Sequence, residues 1–248
     1  MAERGVLYMV WGDKVTPYLE RSQASLREWH PELPVHVERL ETGGDPVKAL
    51  LLKARMMDAS PFEETLFLDA DTVVLGCLDF GFERARRFGL ACTINGCPWA
   101  RRYGDPALAG DMIEYSTGVM FFTRAVRPVF DAWAACVARV DSSIEWEENG
   151  VLCRTPYADQ AGFSKAIDDA GFSPFVLPIN WNYSAWFFRA FYGPIKIWHD
   201  YGEVPDFVRR ENQTYLDPKT RIRFYPLKVS ADPQAGLNAP VKPAARSS

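Results

Sequence analysis

Short apolar runs that alternate with proline-started amphipathic segments constrain this chain more than any other feature. Gly5 to Val10 (GVLYMV) is continuous and apolar, the pattern of a strand buried on both faces of a parallel sheet. Thr16 and Pro17 then supply an N-cap and a first helical residue, and Tyr18, Leu19, Ser22, Leu26 and Trp29 share one face until Pro31. Val35-His36-Val37 predicts the second strand. Asp45-Pro46 repeats the start signal, and Val47, Leu50, Leu51, Ala54 and Met57 line one helix that ends before Pro61. Leu66 to Leu68 is the third strand. Strands alternating with helices in this way imply right-handed βαβ units, an α/β class with a mostly parallel central sheet flanked by helices.

Farther along, Thr123 to Val140 reads as one amphipathic helix with Val129, Phe130, Trp133 and Val137 inward, and Ser142 to Asn149 as a solvated acidic loop. Asn180 to Gly193 is dense in aromatics, and most of it reads as core. Trp186 and Tyr192 are the exceptions that could instead face a ligand.

With 248 residues and 48% hydrophobic content, residues 1–229 suffice for one domain with a sizeable core. The tail 230–248, rich in Pro, Ala and Ser, is expected to be disordered. A net charge of -4 without a basic stripe excludes nucleic acid as a partner. Five cysteines, odd in number and with no CxxC pair, fit a reducing compartment and no zinc site. The polar amino terminus does not read as a signal peptide, and no stretch reaches membrane-spanning length, so a soluble cytoplasmic protein is expected.

In parallel sheets ligands bind beyond the carboxyl ends of the strands, and the run Leu66-Phe67-Leu68 ends there in Asp69-Ala70-Asp71. If the chain stays extended, both carboxylates lie on one side with Cα atoms roughly 7 Å apart. Their repulsion is then about 2 kcal/mol at an effective dielectric of 20, and partial burial adds several kcal/mol of desolvation per ion. A divalent cation offsets both costs, and an oxygen-rich site favours Mg²⁺ or Mn²⁺ over zinc. Two solvated acids in a turn are the plain alternative. His199 ends a second apolar face, that of Ile195 and Ile197, where it is either a metal ligand or a hydrogen-bonded structural histidine. His30 and His36 read as structural or solvated.

Two enzyme families end a hydrophobic strand in Asp-x-Asp. Asp69-Ala70-Asp71-Thr72-Val73 partly resembles the nucleophile motif of haloacid-dehalogenase-like phosphatases. That family also needs an acidic pair at the end of a later strand, and here the adjacent pair Asp168-Asp169 reads as a polar helix end. The chain better resembles GT-A glycosyltransferases of the glycogenin-like family 8, from about Gly5 to Val208. The block KARMMDASPFEETLFLDADTVV is similar to the family's lysine-bearing helix, strand and metal motif, with Lys53 sixteen positions before Asp69. YSTGVMFF is similar to its Asn-Ser-Gly segment, with Ser116 in place of Asn. YADQAGF carries its Asp-Gln pair, and IKIWHDYG its His-x-x-Gly block.

The resemblance implies a single GT-A domain that transfers a sugar from a nucleoside-diphosphate sugar, a UDP-hexose, to a glycan, protein or lipid acceptor, with retention. It implies Asp69, Asp71 and His199 around Mn²⁺ or Mg²⁺, and Asp159 and Gln160 at the reacting carbon. Trp11, Gly12, Asp13, Lys53, Asp69, Ala70, Ser116, Thr117, Gly118 and Gly202 are then the donor-binding residues. Asp13 could equally be a turn former, Lys53 a solvated lysine and Asp159 a helix N-cap. The family's lysine after the His-x-x-Gly block is missing, since Glu203-Val204-Pro205-Asp206 follows; Arg209, Arg210 or Lys219 would have to neutralise phosphate. A sugar-nucleotide binder without catalysis is the third reading.

Overall fold

A computed structural model describes residues 2–95, 113–140, 144–148, 150–155, 159–185, 187–188 and 190–226. The elements run β1 (Ala2–Val10), α1 (Thr16–Trp29), β2 (Val35–Arg39), α2 (Pro46–Lys53), α3 (Met56–Ala59), β3 (Phe62–Leu68), β4 (Thr72–Val74), α4 (Asp79–Phe88), β5 (Leu90–Ile94) and β6 (Tyr115–Thr123). There follow α5 (Arg127–Cys136), β7 (Ile144–Glu148), β8 (Val151–Thr155), α6 (Asp159–Asp169), β9 (Phe175–Leu177), β10 (Ala190–Tyr192), β11 (Ile197–His199), α7 (Asp206–Thr214) and β12 (Phe224–Pro226).

The central sheet has six strands in the order β2-β1-β3-β6-β5-β9. It is mostly parallel, as the alternation predicts: β1 pairs in parallel with β2 and β3, and β5 with β9, while β6 runs antiparallel to both β3 and β5. Alternate residues of each strand enter opposite cores. Val6, Tyr8, Leu66, Leu68 and Phe121 pack with Leu26 of α1 and Phe82 of α4. Leu7, Phe67, Met120 and Phe122 pack on the other face with Phe130 and Trp133 of α5 and Phe163 of α6. Continuous apolar strands are the sequence signature of that double burial. A third cluster, including Val73, Tyr183, Phe191 and Trp198, lies under β4 and β11.

Several local expectations are corrected. Thr16 is the first residue of α1, and Val15 holds the N-cap position without a side-chain cap. Asp45 does cap α2, its carboxylate accepting from Val47 N–H at 2.8 Å. The single helix expected after it is two, because the Arg55 N–H bonds to Leu52 O and the Asp58 N–H to Arg55 O. These tight i to i−3 bonds interrupt the helix with no glycine or proline to announce the break. Thr123 ends β6, and a 3₁₀ turn (Arg124–Val126) precedes α5, whose Val129, Phe130 and Trp133, with Val137 just beyond, are buried as expected. The acidic stretch is not all loop: residues 144–148 form β7, paired antiparallel with β8 from Ile144↔Thr155 to Glu148↔Val151. The two-residue Asn-Gly connection, with Gly150 at φ 75°, is a hairpin signal that outweighs the charge.

Trp181, Tyr183 and Phe191 are core, whereas Tyr192 is 37% exposed. His30 is structural: its Nε2 accepts from Leu78 N–H at 2.9 Å. Asp168 and Asp169 close α6, and Asp169 pairs with Lys165 at 2.6 Å, a polar helix end. Cys77, Cys92, Cys136 and Cys153 are free thiols. Trp186, Cys97 and the tail 230–248 lie outside the described residues. Among those described, no helix is long and apolar enough to cross a membrane.

Candidate active site

β3 stops at Leu68, and the chain turns rather than continuing extended. Asp69 N–H donates to Gly118 O at 2.9 Å, fixing the acid against β6. Thr72 closes the turn by donating its N–H (3.2 Å) and Oγ1 (2.8 Å) to Asp69 O. The chain then enters β4, which pairs antiparallel with β11 so that Thr72 faces His199. Asp200 N–H reaches Asp71 O at 3.1 Å and extends the ladder past the strands.

This pairing brings together residues 128 positions apart (199 minus 71). His199 Nε2 lies 3.2 Å from Asp71 Oδ1 and 3.8 Å from Asp69 Oδ2. One ligand atom from each of the three residues falls within 4.8 Å of the others, as a shared metal ion requires. Gly118 completes the cradle. A Cβ there would stand 2.5 Å from His199 Cε1 and 2.9 Å from Asp69 Oδ2, so a side chain would fill the space between the ligands. The donor set, two carboxylates and one imidazole, suits a divalent cation.

The charges are strongly coupled. Burial pushes the Asp69 carboxyl above its ordinary range against the pull of Lys53 and His199. Burial works the same way on Asp71, but the attraction and hydrogen bond of His199 win and hold it below that range. Burial disfavours the imidazolium of His199, yet the charge and hydrogen bond of Asp71 outweigh it and raise the ring above its usual value.

Lys53, at the end of α2, is not a solvated lysine. Its ammonium is buried, 2.9 Å from Asp69 Oδ1 and 3.1 Å from Asp159 Oδ2. Burial alone would lower its pKa, but Asp159 and Asp69 drive it upward and keep it charged. Asp159, buried on the first turn of α6, also accepts from Thr117 Oγ1 at 2.7 Å. Its backbone carbonyl takes the Trp133 indole N–H at 3.1 Å. Gln160 Oε1 accepts from Asn95 Nδ2 at 3.0 Å. The antiparallel sense of β6 makes this assembly possible, since Val119 pairs with Leu68, the last residue of β3, and Gly118 just before it takes the Asp69 N–H.

The remaining predicted residues take two positions. Trp11, Gly12 and Asp13 are exposed at the carboxyl end of β1, one strand from Asp69, with Gly12 in the left-handed region at φ 67°. Gly202 is exposed in the loop after His199, its N–H bonded to Asp200 Oδ1 at 2.7 Å. Arg209, Arg210 and Lys219 are exposed on or beyond α7.

Two residues escaped the sequence reading. Arg21 of α1 donates to the carbonyls of Asp200 (2.7 Å), Tyr201 (3.1 Å) and Gly202 (2.7 Å), clamping the loop beyond His199. Nothing local distinguishes it from a surface arginine. Asn182 lies 2.8 Å from His199 Nδ1. Its signal was present: one amide between two buried aromatics, Trp181 and Tyr183, in NWNYS.

The sheet order and this site at the strand ends define a GT-A glycosyltransferase fold. The chain is similar to mouse xyloside xylosyltransferase 1 in its apo form (TM-score 0.53, 14% identity, 80% of this chain and 98% of that one). It is also similar to the galactosyltransferase LgtC in complex with donor and acceptor sugar analogs (0.51, 10%, 80% and 87%). A third likeness is to a glycosyltransferase involved in glycosylation of the major capsid of PBCV-1 (0.52, 12%, 86% and 99%). No protein-family model matches the sequence, and no curated protein matches it.

Proposed function

We propose that the protein is a metal-dependent glycosyltransferase of the family 8 type that transfers a hexose, with retention, from a UDP-sugar to a glycan, protein or lipid. The observation that carries this reading is the convergence of Asp69, Asp71 and His199 at the strand ends of a GT-A fold, with Lys53 joining that cluster to Asp159.

Asp69, Asp71 and His199 would hold Mn²⁺ or Mg²⁺, which when bound supplies Lewis-acid stabilisation of a departing diphosphate. Lys53 bridges the carboxylates of Asp69 and Asp159 and fixes the distance between them. Thr117, donating to Asp159, orients that carboxylate. Asp159 then stabilises the positive charge that develops at the sugar carbon, and Gln160, held by Asn95, positions the ring. Trp11, Gly12 and Asp13 receive the base and ribose, and Ser116, Thr117, Gly118 and Gly202 line the sugar and diphosphate.

The test is a panel of nucleotide sugars scored by thermal stabilisation with and without Mn²⁺, followed by hydrolysis of the best donor, since a ligand of the folded state raises apparent stability. A UDP-hexose should stabilise only with metal and be hydrolysed slowly, and Asp71→Asn should lose both effects. Donor binding with neither hydrolysis nor transfer to any acceptor would leave only a binding protein. A trapped aspartyl-phosphate on Asp69 would replace the reading with a phosphatase.

A further inference from the structure

Asn182 occupies a built position. Its neighbours Trp181 and Tyr183 are both buried in the core. Tyr183 N–H donates to Ile197 O at 2.9 Å and His199 N–H to Tyr183 O at 2.8 Å, so the segment is zipped onto β11, the strand that carries the histidine. The Asn182 side chain, itself buried, reaches the metal cluster. Its Nδ2 lies 2.7 Å from Ser116 Oγ, and its Oδ1 lies 2.8 Å from His199 Nδ1.

The amide has one acceptor end and one donor end, and the site uses both. Ser116 Oγ also takes the Gly118 N–H at 3.3 Å, and Thr93 Oγ1 is a weaker second target for Nδ2 at 3.5 Å. With its donors spent on hydroxyl oxygens, Asn182 presents Oδ1 to the imidazole, which answers with Nδ1–H. With Nδ1–H engaged there, Nε2, which faces Asp71 and Asp69, is the nitrogen that gives up its proton to an ion and so supplies the lone pair. A ligating histidine must offer that lone pair, and the hydrogen bond on its other nitrogen sets which one it offers.

We infer that Asn182 is a positioning residue of the metal site: anchored on Ser116, it holds the ring plane of His199 and engages Nδ1, so that Nε2 is the nitrogen offered to an ion. This rests on the glycosyltransferase reading only in assigning a metal to the three ligands. Asn182 is not one of the three candidate ligands and would act through His199.

The experiment follows free Mn²⁺ by electron paramagnetic resonance during titration of the full chain in the presence of UDP, for the wild type, Asn182→Leu and Asn182→Asp. Leu offers no acceptor, so Mn²⁺ affinity should fall by about 10–100-fold. Asp keeps an oxygen facing Nδ1–H, so affinity should stay close to that of the wild type. Wild-type affinity in the Leu variant, or an Asp variant as weak as the Leu variant, overturns the inference and leaves the metal site standing. Absence of Mn²⁺ binding by the wild type removes the metal site and this inference together. Should the Leu variant not fold, long-range ¹H–¹⁵N spectra of the metal-free wild type decide. With three histidines in the chain, the ring of His199 can be assigned, and its Nδ1 must carry a hydrogen-bonded proton; an unprotonated Nδ1 overturns the inference.

Discussion

The Lys53 ammonium lies 3.1 Å from the Asp159 carboxylate while also holding Asp69 at 2.9 Å, so one buried cation ties the candidate metal cluster to the first turn of α6. Removing it would leave two acids facing each other in a poorly solvated site. Loss of one partner from a buried ion pair costs about 3–5 kcal/mol, which in a domain of this size lowers the melting temperature by roughly 10 °C. Lys53→Met should show that loss by calorimetry, and Lys53→Met with Asp159→Asn should recover part of it. A single variant that melts with the wild type would contradict the coupling.

Gly118 is the residue whose missing side chain leaves room for the ion. Gly118→Ala puts a methyl group against His199 and Asp69, so it should weaken Mn²⁺ binding by at least about tenfold, the scale on which a ligand-orienting change acts. Titration of Mn²⁺ against UDP-loaded protein checks this. Unchanged affinity would mean that the ion lies elsewhere.

Asp159 should matter to the reaction more than to binding. On the proposed function its carboxylate would act as charge develops on the sugar, so Asp159→Asn is expected to lower kcat for donor hydrolysis on the order of 10²–10³-fold, with the donor Kd changed only a few-fold. Equal losses in kcat and binding would assign Asp159 to the ground-state complex instead.

The pH profile of stability contains a term from His30. Burial, with Arg4 nearby and only partly countered by Asp79, holds its pKa below the ordinary value, consistent with Nε2 accepting the Leu78 N–H. A group with a depressed folded pKa contributes stability that is complete above its unfolded pKa of about 6.5 and is lost as pH falls through the folded value. Melting temperatures measured from pH 8 down to 5 should therefore decline more steeply in the wild type than in His30→Gln, whose side-chain oxygen accepts the same N–H without titrating. Parallel declines would show that His30 does not contribute.

The sheet strands β1 and β3, α1 and the inward face of α5 were legible because apolar periodicity records burial, and burial is what these residues have in common. Asp69 and Asp71 were legible because charge at the end of a buried strand is costly enough to demand a reason. Asn182 left only its place between two aromatics and Arg21 no local trace, since a polar residue is explained by its partners: Arg21 bonds to residues 179 to 181 positions away. The β7 and β8 hairpin was misread because the acidic residues of β7 were weighed above the Asn-Gly turn. The break between α2 and α3 had no sequence marker at all.

The pairing of β4 with β11 sets an order of assembly during synthesis. All six strands of the central sheet lie at or before Leu177, whereas His199 follows 22 residues later (199 minus 177). A growing chain can therefore complete its sheet, and place Asp69 and Asp71 at its edge, while the third ligand is still unmade. Until β11 docks, these acids have neither their imidazole partner nor the strand that seats β4. The candidate metal cluster is completed only after the sheet, and a product truncated within those 22 residues would keep the sheet strands and lack its histidine.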